Sequence, residues 1–154
     1  MEGGYGRKLS MLEGIAALAG VLVAMARFPG IPVTIREDNA GLVYVYRKGT
    51  CRCPWTWTVA KAIYDLGKAR FTSVVFEKVG RRSLPMDEVA DHLSKGELSQ
   101  ARNRLSLKPM MEEFPRSFWE WVNHPRVDPG LGWKLARDLE GLIRVRNTKS
   151  TEYV

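Results

Sequence analysis

The sequence predicts an α/β fold, and three observations carry that prediction. Residues 31–36 and 72–79 are short stretches rich in β-branched residues, the composition of strands. Residues 12–25 carry apolar side chains at helical spacing ahead of the first stretch, and residues 58–68 do the same between the two. Strands alternating with helices argue for an α/β architecture. Two strands alone make a marginal sheet. Either further strands are unread, or the helices carry the core, or another chain completes the sheet.

Residues 1–8 are glycine-rich and are expected to be a flexible lead. Ser10 and Glu13 stand at capping-box spacing, with Ser10 as N-cap and Glu13 at the third helical position. The helix they open carries Ile15, Leu18, Leu22 and Met25 on one stripe, widened by alanines, and Phe28-Pro29-Gly30 ends it. The first strand comes next at 31–36, with Glu37 and Asp38 at its C-terminal end. Asn39-Ala40-Gly41 opens a helical or mixed segment that Lys48-Gly49 closes. A helix then starts near Pro54 and buries Val59, Ala62, Ile63 and Leu66. After the second strand, Gly80-Arg81-Arg82-Ser83 is a basic turn, and residues 85–93 form a helix bearing Asp91.

From Glu97 the character changes to a helical extension over 97–144. It comprises a charged helix near 97–105, a short aromatic helix from Pro115, and an amphipathic helix over 131–142. Residues 145–154 are polar and are expected to be a disordered tail.

There are 24 Lys and Arg against 17 Asp and Glu, a net charge of +7, which favours polyanions or acidic protein surfaces as partners. Cys51 and Cys53 are too close for an easy disulfide. Two thiols also fall short of a zinc set unless His92 or His124, both distant in sequence, joins them. The start lacks the layout of a signal peptide. The apolar run 12–25 is interrupted by Glu13 and is shorter than the ~20 residues a bilayer needs. The expectation is a soluble intracellular protein, nuclear or cytoplasmic, with no membrane partner.

Three carboxylates stand at suggestive places. Glu13 lies in the first helix, Asp38 ends the first strand, and Asp91 lies in the helix after the second. In open α/β sheets ligands bind beyond the carboxyl ends of strands, which is where Asp38 sits. Three converging carboxylates would suit Mg²⁺ or Mn²⁺. Paired ions roughly 4 Å apart clamp a phosphodiester in many nucleases. Each acid also has a plain structural reading. Glu13 completes a capping box, Asp38 caps the segment from Asn39, and Asp91 is a surface acid near Lys95.

Three stretches, in this order and spacing, resemble the RNase H region of retroelement reverse transcriptases. The nearest likeness is to the tyrosine-recombinase (DIRS-type) elements, including those of nematodes. Ser10 to Leu18 resembles that family's first helix, Arg36 to Gly41 its motif at the end of the fourth strand, and Val89 to Gly96 its last acidic motif. Residues 9–96 are covered. The run Pro115 to Trp121 with His124-Pro125 is similar to the segment that comes after that domain in such elements. The resemblance implies an RNase H-like core with Glu13, Asp38 and Asp91 as the second, third and fourth metal ligands, and Mg²⁺ or Mn²⁺ as cofactor.

The family's first ligand is an Asp on a three-strand meander that precedes the first helix, and these 154 residues hold no counterpart. The expected fold is therefore an RNase H-like core lacking its first three strands. Its catalytic set, Glu13, Asp38 and Asp91, is incomplete or vestigial and binds metal weakly. Its surviving first strand, Val33 to Arg36, has an edge that needs covering by a protein partner or a second copy. The expected function is a retroelement-derived, non-catalytic interaction module in a protein or nucleoprotein assembly. The alternative is a metal-dependent ribonuclease acting on RNA in RNA–DNA hybrids, with the missing carboxylate supplied in trans.

Lys48, Arg52, Lys78, Arg81 and Arg82, with Arg70 and the nearby Trp55 and Trp57, form a candidate surface for RNA or an RNA–DNA hybrid. The competing reading is a solvated basic face over two partly buried tryptophans. Phe114, Phe118, Trp119 and Trp121 read as a satellite core packed on the last helix, with an exposed partner patch as the alternative.

Overall fold

The computed structural model describes residues 2–38, 40–49, 53–80, 90, 96–97, 99–100 and 113–152. Helix α1 (Glu2–Arg27) leads into strand β1 (Val33–Glu37). Helices α2 (Ala40–Lys48) and α3 (Pro54–Ala69) come next, then strand β2 (Val74–Lys78), and finally helices α4 (Arg116–Asn123) and α5 (Leu131–Glu152). The architecture is α/β, mostly helical, around a two-stranded parallel sheet.

The strands form where β-branched residues cluster, and the register pairs Val33 with Val74 and Ile35 with Phe76. Register partners share a face. Phe76 is buried, and Ile35 and Val74 pack on the same core from that face. Thr34, Val75 and Glu77 on the other face are exposed, with an Arg36–Glu77 ion pair of 2.9 Å across it.

Helix α2 is closed by Gly49, whose φ of 75° and 2.7 Å hydrogen bond to the Val45 carbonyl make a left-handed cap. Helix α3 starts at Pro54, the position where a missing N–H costs nothing. Its buried stripe of Val59, Ala62, Ile63 and Leu66 sits at the centre of one continuous core. Leu18, Leu22 and Met25 of α1 and Leu131, Leu135 and Leu139 of α5 join the same core. The C-terminal helices thus share the core of the strand-bearing part. Helices α3 and α5 cross closely at Gly132, where a Cβ would stand 2.6 Å from the Asp65 Cβ and 2.7 Å from the Ala62 carbonyl oxygen.

The aromatic run from Phe114 is mainly core. Phe118 and Trp121 are buried, Phe114 stacks on Phe118 at 4.8 Å between centroids, and the Trp121 indole donates to the Arg126 carbonyl. Trp119 alone of the four is exposed.

Two expectations need correction. Helix α1 reaches back to Glu2, so residues 2–8 are helical and Ser10 stands inside the helix, not at its cap. Glycines at 3, 4 and 6 each cost roughly 0.5–1 kcal/mol relative to alanine there, so that first part is propagated from the packed segment beyond it. Helix α5 runs on to Glu152, past the expected stop at 142 and into the stretch expected to be disordered. Its apolar stripe ends at Ile143, and a surface pair, Arg144 to Glu140 at 2.7 Å, spans that point. The helices expected near 85–93 and 97–105 fall largely outside the described residues.

Candidate carboxylate site and the two sheet edges

Glu13 and Asp38 come together. With Glu37 they form a cluster in which one carboxylate oxygen from each residue lies within 4.8 Å of the others. The chain direction explains this. From Arg27 back to Glu13, α1 covers about 21 Å at 1.5 Å per residue. Strand β1 and Asp38 advance about 17 Å at 3.3 Å per residue. The turn at 28–32 reverses the chain, so Glu13 ends level with the C-terminal end of the strand. Gly14 is buried, and its Cβ position lies 3.4 Å from Val59, which lets α1 approach α3 closely at the same level.

Glu37 joins because side chains alternate along a strand. It shares the face of Ile35, the face turned toward the helices. Sequence reasoning missed it as a ligand, although its place beside Asp38 at the strand end was visible. Asp91, the third expected ligand, lies outside the described residues. Glu13 and Glu37 are half-buried and Asp38 is exposed. Three carboxylate oxygens are the hard, anionic donors that Mg²⁺ or Mn²⁺ takes, with water filling the remaining positions. The donor set fits such an ion at the carboxyl end of β1.

Of the basic residues singled out in the sequence, Lys48 is exposed at the end of α2. Lys78 is exposed at the end of β2, and its ammonium donates to the Val79 carbonyl at 2.9 Å. Arg52, Arg81 and Arg82 lie outside the described residues. Cys53 stands at the N-cap of α3, and Cys51 is outside the described set, so the pair is not seen together.

The sheet edges differ sharply. Val33 donates to Ser73 at 2.8 Å, and Val79 donates to Glu37 at 3.1 Å. In a parallel ladder the bonding residues alternate, so the odd residues of β1 face β2. The carbonyls of Val74 and Phe76 therefore point to the outer edge of β2. Both are satisfied from α2: the Tyr46 hydroxyl donates to Val74 at 2.8 Å, and Arg47 Nη2 donates to Phe76 at 2.8 Å. Tyr46 also packs its ring on Phe76 at 4.5 Å. Burial, then the nearby Tyr64, raises its pKa and keeps its hydroxyl proton in place as a donor. Side chains of α2 thus hold two carbonyls on the outer edge of β2. Among the described residues no strand lies on the outer edge of β1, and no backbone group donates to or accepts from Thr34 there.

No family model, curated protein or solved structure matches the chain. Among the described residues, no helix is long and apolar enough to cross a membrane.

Proposed function

We propose that the chain is a retroelement-derived, non-catalytic RNase H-like interaction module, whose sheet is completed along β1 by strands of a protein partner or a second copy. The asymmetry of the two edges is the observation that carries this reading. Side chains of α2 hold the Val74 and Phe76 carbonyls on the outer edge of β2, while on the outer edge of β1 Thr34 has no described strand or side chain against it. Parallel sheets are normally covered on both faces and rarely stop at two strands. The exposed Val75 and Thr34 on the uncovered face fit the same need for a partner. The succession α1–β1–α2–α3–β2, with the two strands parallel and adjacent, supports the RNase H-like assignment.

The test is light scattering coupled to size exclusion, comparing the wild-type chain with Thr34→Pro, which removes the edge amide. Edge pairing gives an assembly larger than one chain that the variant loses. A wild-type chain that is well folded and monomeric at all concentrations overturns strand completion.

A second reading is favoured by a separate observation, the convergence of Glu13, Glu37 and Asp38. It is a divalent-metal-dependent ribonuclease acting on RNA–DNA hybrids, completed in trans. A cleavage assay in Mg²⁺ and in Mn²⁺ decides between the two. Activity abolished by Asp38→Asn overturns the non-catalytic reading.

A further inference from the structure

A groove of about 340 Å³ lies between the last turn of α2 and the outer face of α3. One wall carries Tyr46, Arg47 and Lys48, and the other carries Trp57, Lys61 and Tyr64. Trp57, Lys61 and Tyr64 are spaced i, i+4, i+7, which puts them on one face of α3. That face is separate from the buried Val59–Ile63–Leu66 stripe. Trp57 is half-buried and Tyr64 is exposed on this face. Among the described residues, no carboxylate lines the groove.

The cations are not equivalent. Lys61 is engaged by the buried Asp65 and by the Pro129 carbonyl at 3.0 Å, which ties α3 to the start of α5. Arg47 spends one nitrogen on the Phe76 carbonyl and keeps its remaining N–H donors. Lys48 is exposed and carries no ion pair among the described residues. Among the lining residues the free positive charge is thus concentrated on the α2 wall, opposite Trp57 and Tyr64 of α3, with Lys68 standing 5.2 Å over the Tyr64 ring.

We infer that this groove binds a nucleotide unit, its base stacked on Trp57 or Tyr64 and its phosphate held by Lys48 and Arg47. The two halves of the site match the two halves of the ligand. Aromatic side chains stack on any base, and Arg and Lys take phosphate. The volume is near the low end of ligand pockets, roughly 300 Å³ and upward, which suits one base with its sugar and phosphate and excludes a duplex. Neither the carboxylate cluster nor the RNase H-like reading is needed for this site. The unit is either a free nucleotide or one residue of a single strand, and the probes separate these sources.

The experiment titrates the full chain with AMP, with a fluorescein-labelled (dA)10 strand and with inorganic phosphate, using tryptophan quenching and anisotropy. Saturable binding of AMP identifies a free-nucleotide site, and binding of the strand alone identifies single-stranded nucleic acid. Trp57→Ala should weaken whichever binds by about tenfold or more, and Trp57→Phe should restore most of it while testing that the fold survives. Lys48→Ser, at an exposed position, should lower the slope of log affinity for the strand against log salt by roughly 0.7. The nucleotide site is overturned if neither nucleotide probe binds saturably, if Trp57→Ala binds as wild type, or if inorganic phosphate competes as well as AMP.

Discussion

Replacing Asp38 by Asn separates two explanations of the carboxylate cluster. As a side chain capping the start of α2 from two residues ahead of Ala40, Asp and Asn are nearly equivalent, so the substitution would leave stability and its response to ions untouched, whereas Asp38→Ala would cost about 0.5–2 kcal/mol. As part of a cation site, Asn removes one of three charges whose oxygens lie within 4.8 Å of one another. Two like charges at that separation repel by about 0.9 kcal/mol in a water-like dielectric, and the exposure of Asp38 argues for that low end. A divalent ion converts three repulsive pairs into three attractive ones. If the site binds Mn²⁺ with a dissociation constant near ~1 mM, 10 mM adds roughly 1.4 kcal/mol of stability. For a chain of this length that raises Tm by about 3–5 °C.

The assay is thermal unfolding followed by circular dichroism, in EDTA with NaCl matched for ionic strength and in Mn²⁺ or Mg²⁺. The expected result is a rise in the wild type, largely lost in Asp38→Asn and in Glu13→Gln. A wild type that melts at the same temperature with and without the ions refutes the cation site. So does an Asp38→Asn variant that keeps the full rise.

Other consequences are as direct. Gly132→Ala should destabilise the chain by about 1–3 kcal/mol in urea unfolding, because its Cβ meets the Asp65 Cβ and the Ala62 backbone. Gly141→Ala, nine residues further along the same helix with nothing within 4 Å, should instead stabilise by about 0.5–1 kcal/mol. Burial opposes the ionised form of Asp128, but hydrogen bonds from Lys134 and the Gly130 amide, with the charges of Lys134 and Arg126, outweigh it and hold its pKa below the ordinary value. Its contribution is therefore complete above the unfolded carboxylate pKa of about 3.9 and drains away as pH falls through the lower folded value. Asp128→Ala should flatten the acid limb of a stability–pH profile. Tyr46→Phe keeps the ring contact with Phe76 but strips the donor from the Val74 carbonyl. It should cost about 1 kcal/mol and raise amide exchange along β2.

How much of the structure was legible in the sequence depends on the range of the interactions. Both strands and the Pro54 start of α3 were legible, because β-branching and a proline at the first helical turn act locally. Glu13 and Asp38 were legible as a pair because the turn at 28–32 reverses the chain over matched lengths, a matter of rise per residue. Glu37 was hidden behind Asp38, the terminal acid, although strand alternation turns it toward α1. The far ends of α1 and α5 were misread because a helix nucleated by tertiary packing runs past the residues that pack. The groove was legible only in its ingredients. Lys48 and Trp57 were grouped in the sequence as part of one candidate nucleic-acid surface, but only the way α2 lies against α3 sets a cationic wall opposite an aromatic one, and crossing geometry leaves no local mark in the chain.

The same packing of α2 links the open edge to the groove. Tyr46 and Arg47 each face two ways, donating to the β2 carbonyls while lining the groove. Arg47 Nη2 holds the Phe76 carbonyl while its other N–H donors are open to a phosphate, so one guanidinium would serve the β2 edge and the groove at once. Through that shared group, binding in the groove would fix the side chain that holds the outer edge of β2, and any partner strand added along β1 sits only one strand away from that change. Coupling of this kind must run equally in both directions. A partner that rigidifies the sheet would then alter nucleotide affinity by the same factor that the nucleotide alters partner affinity.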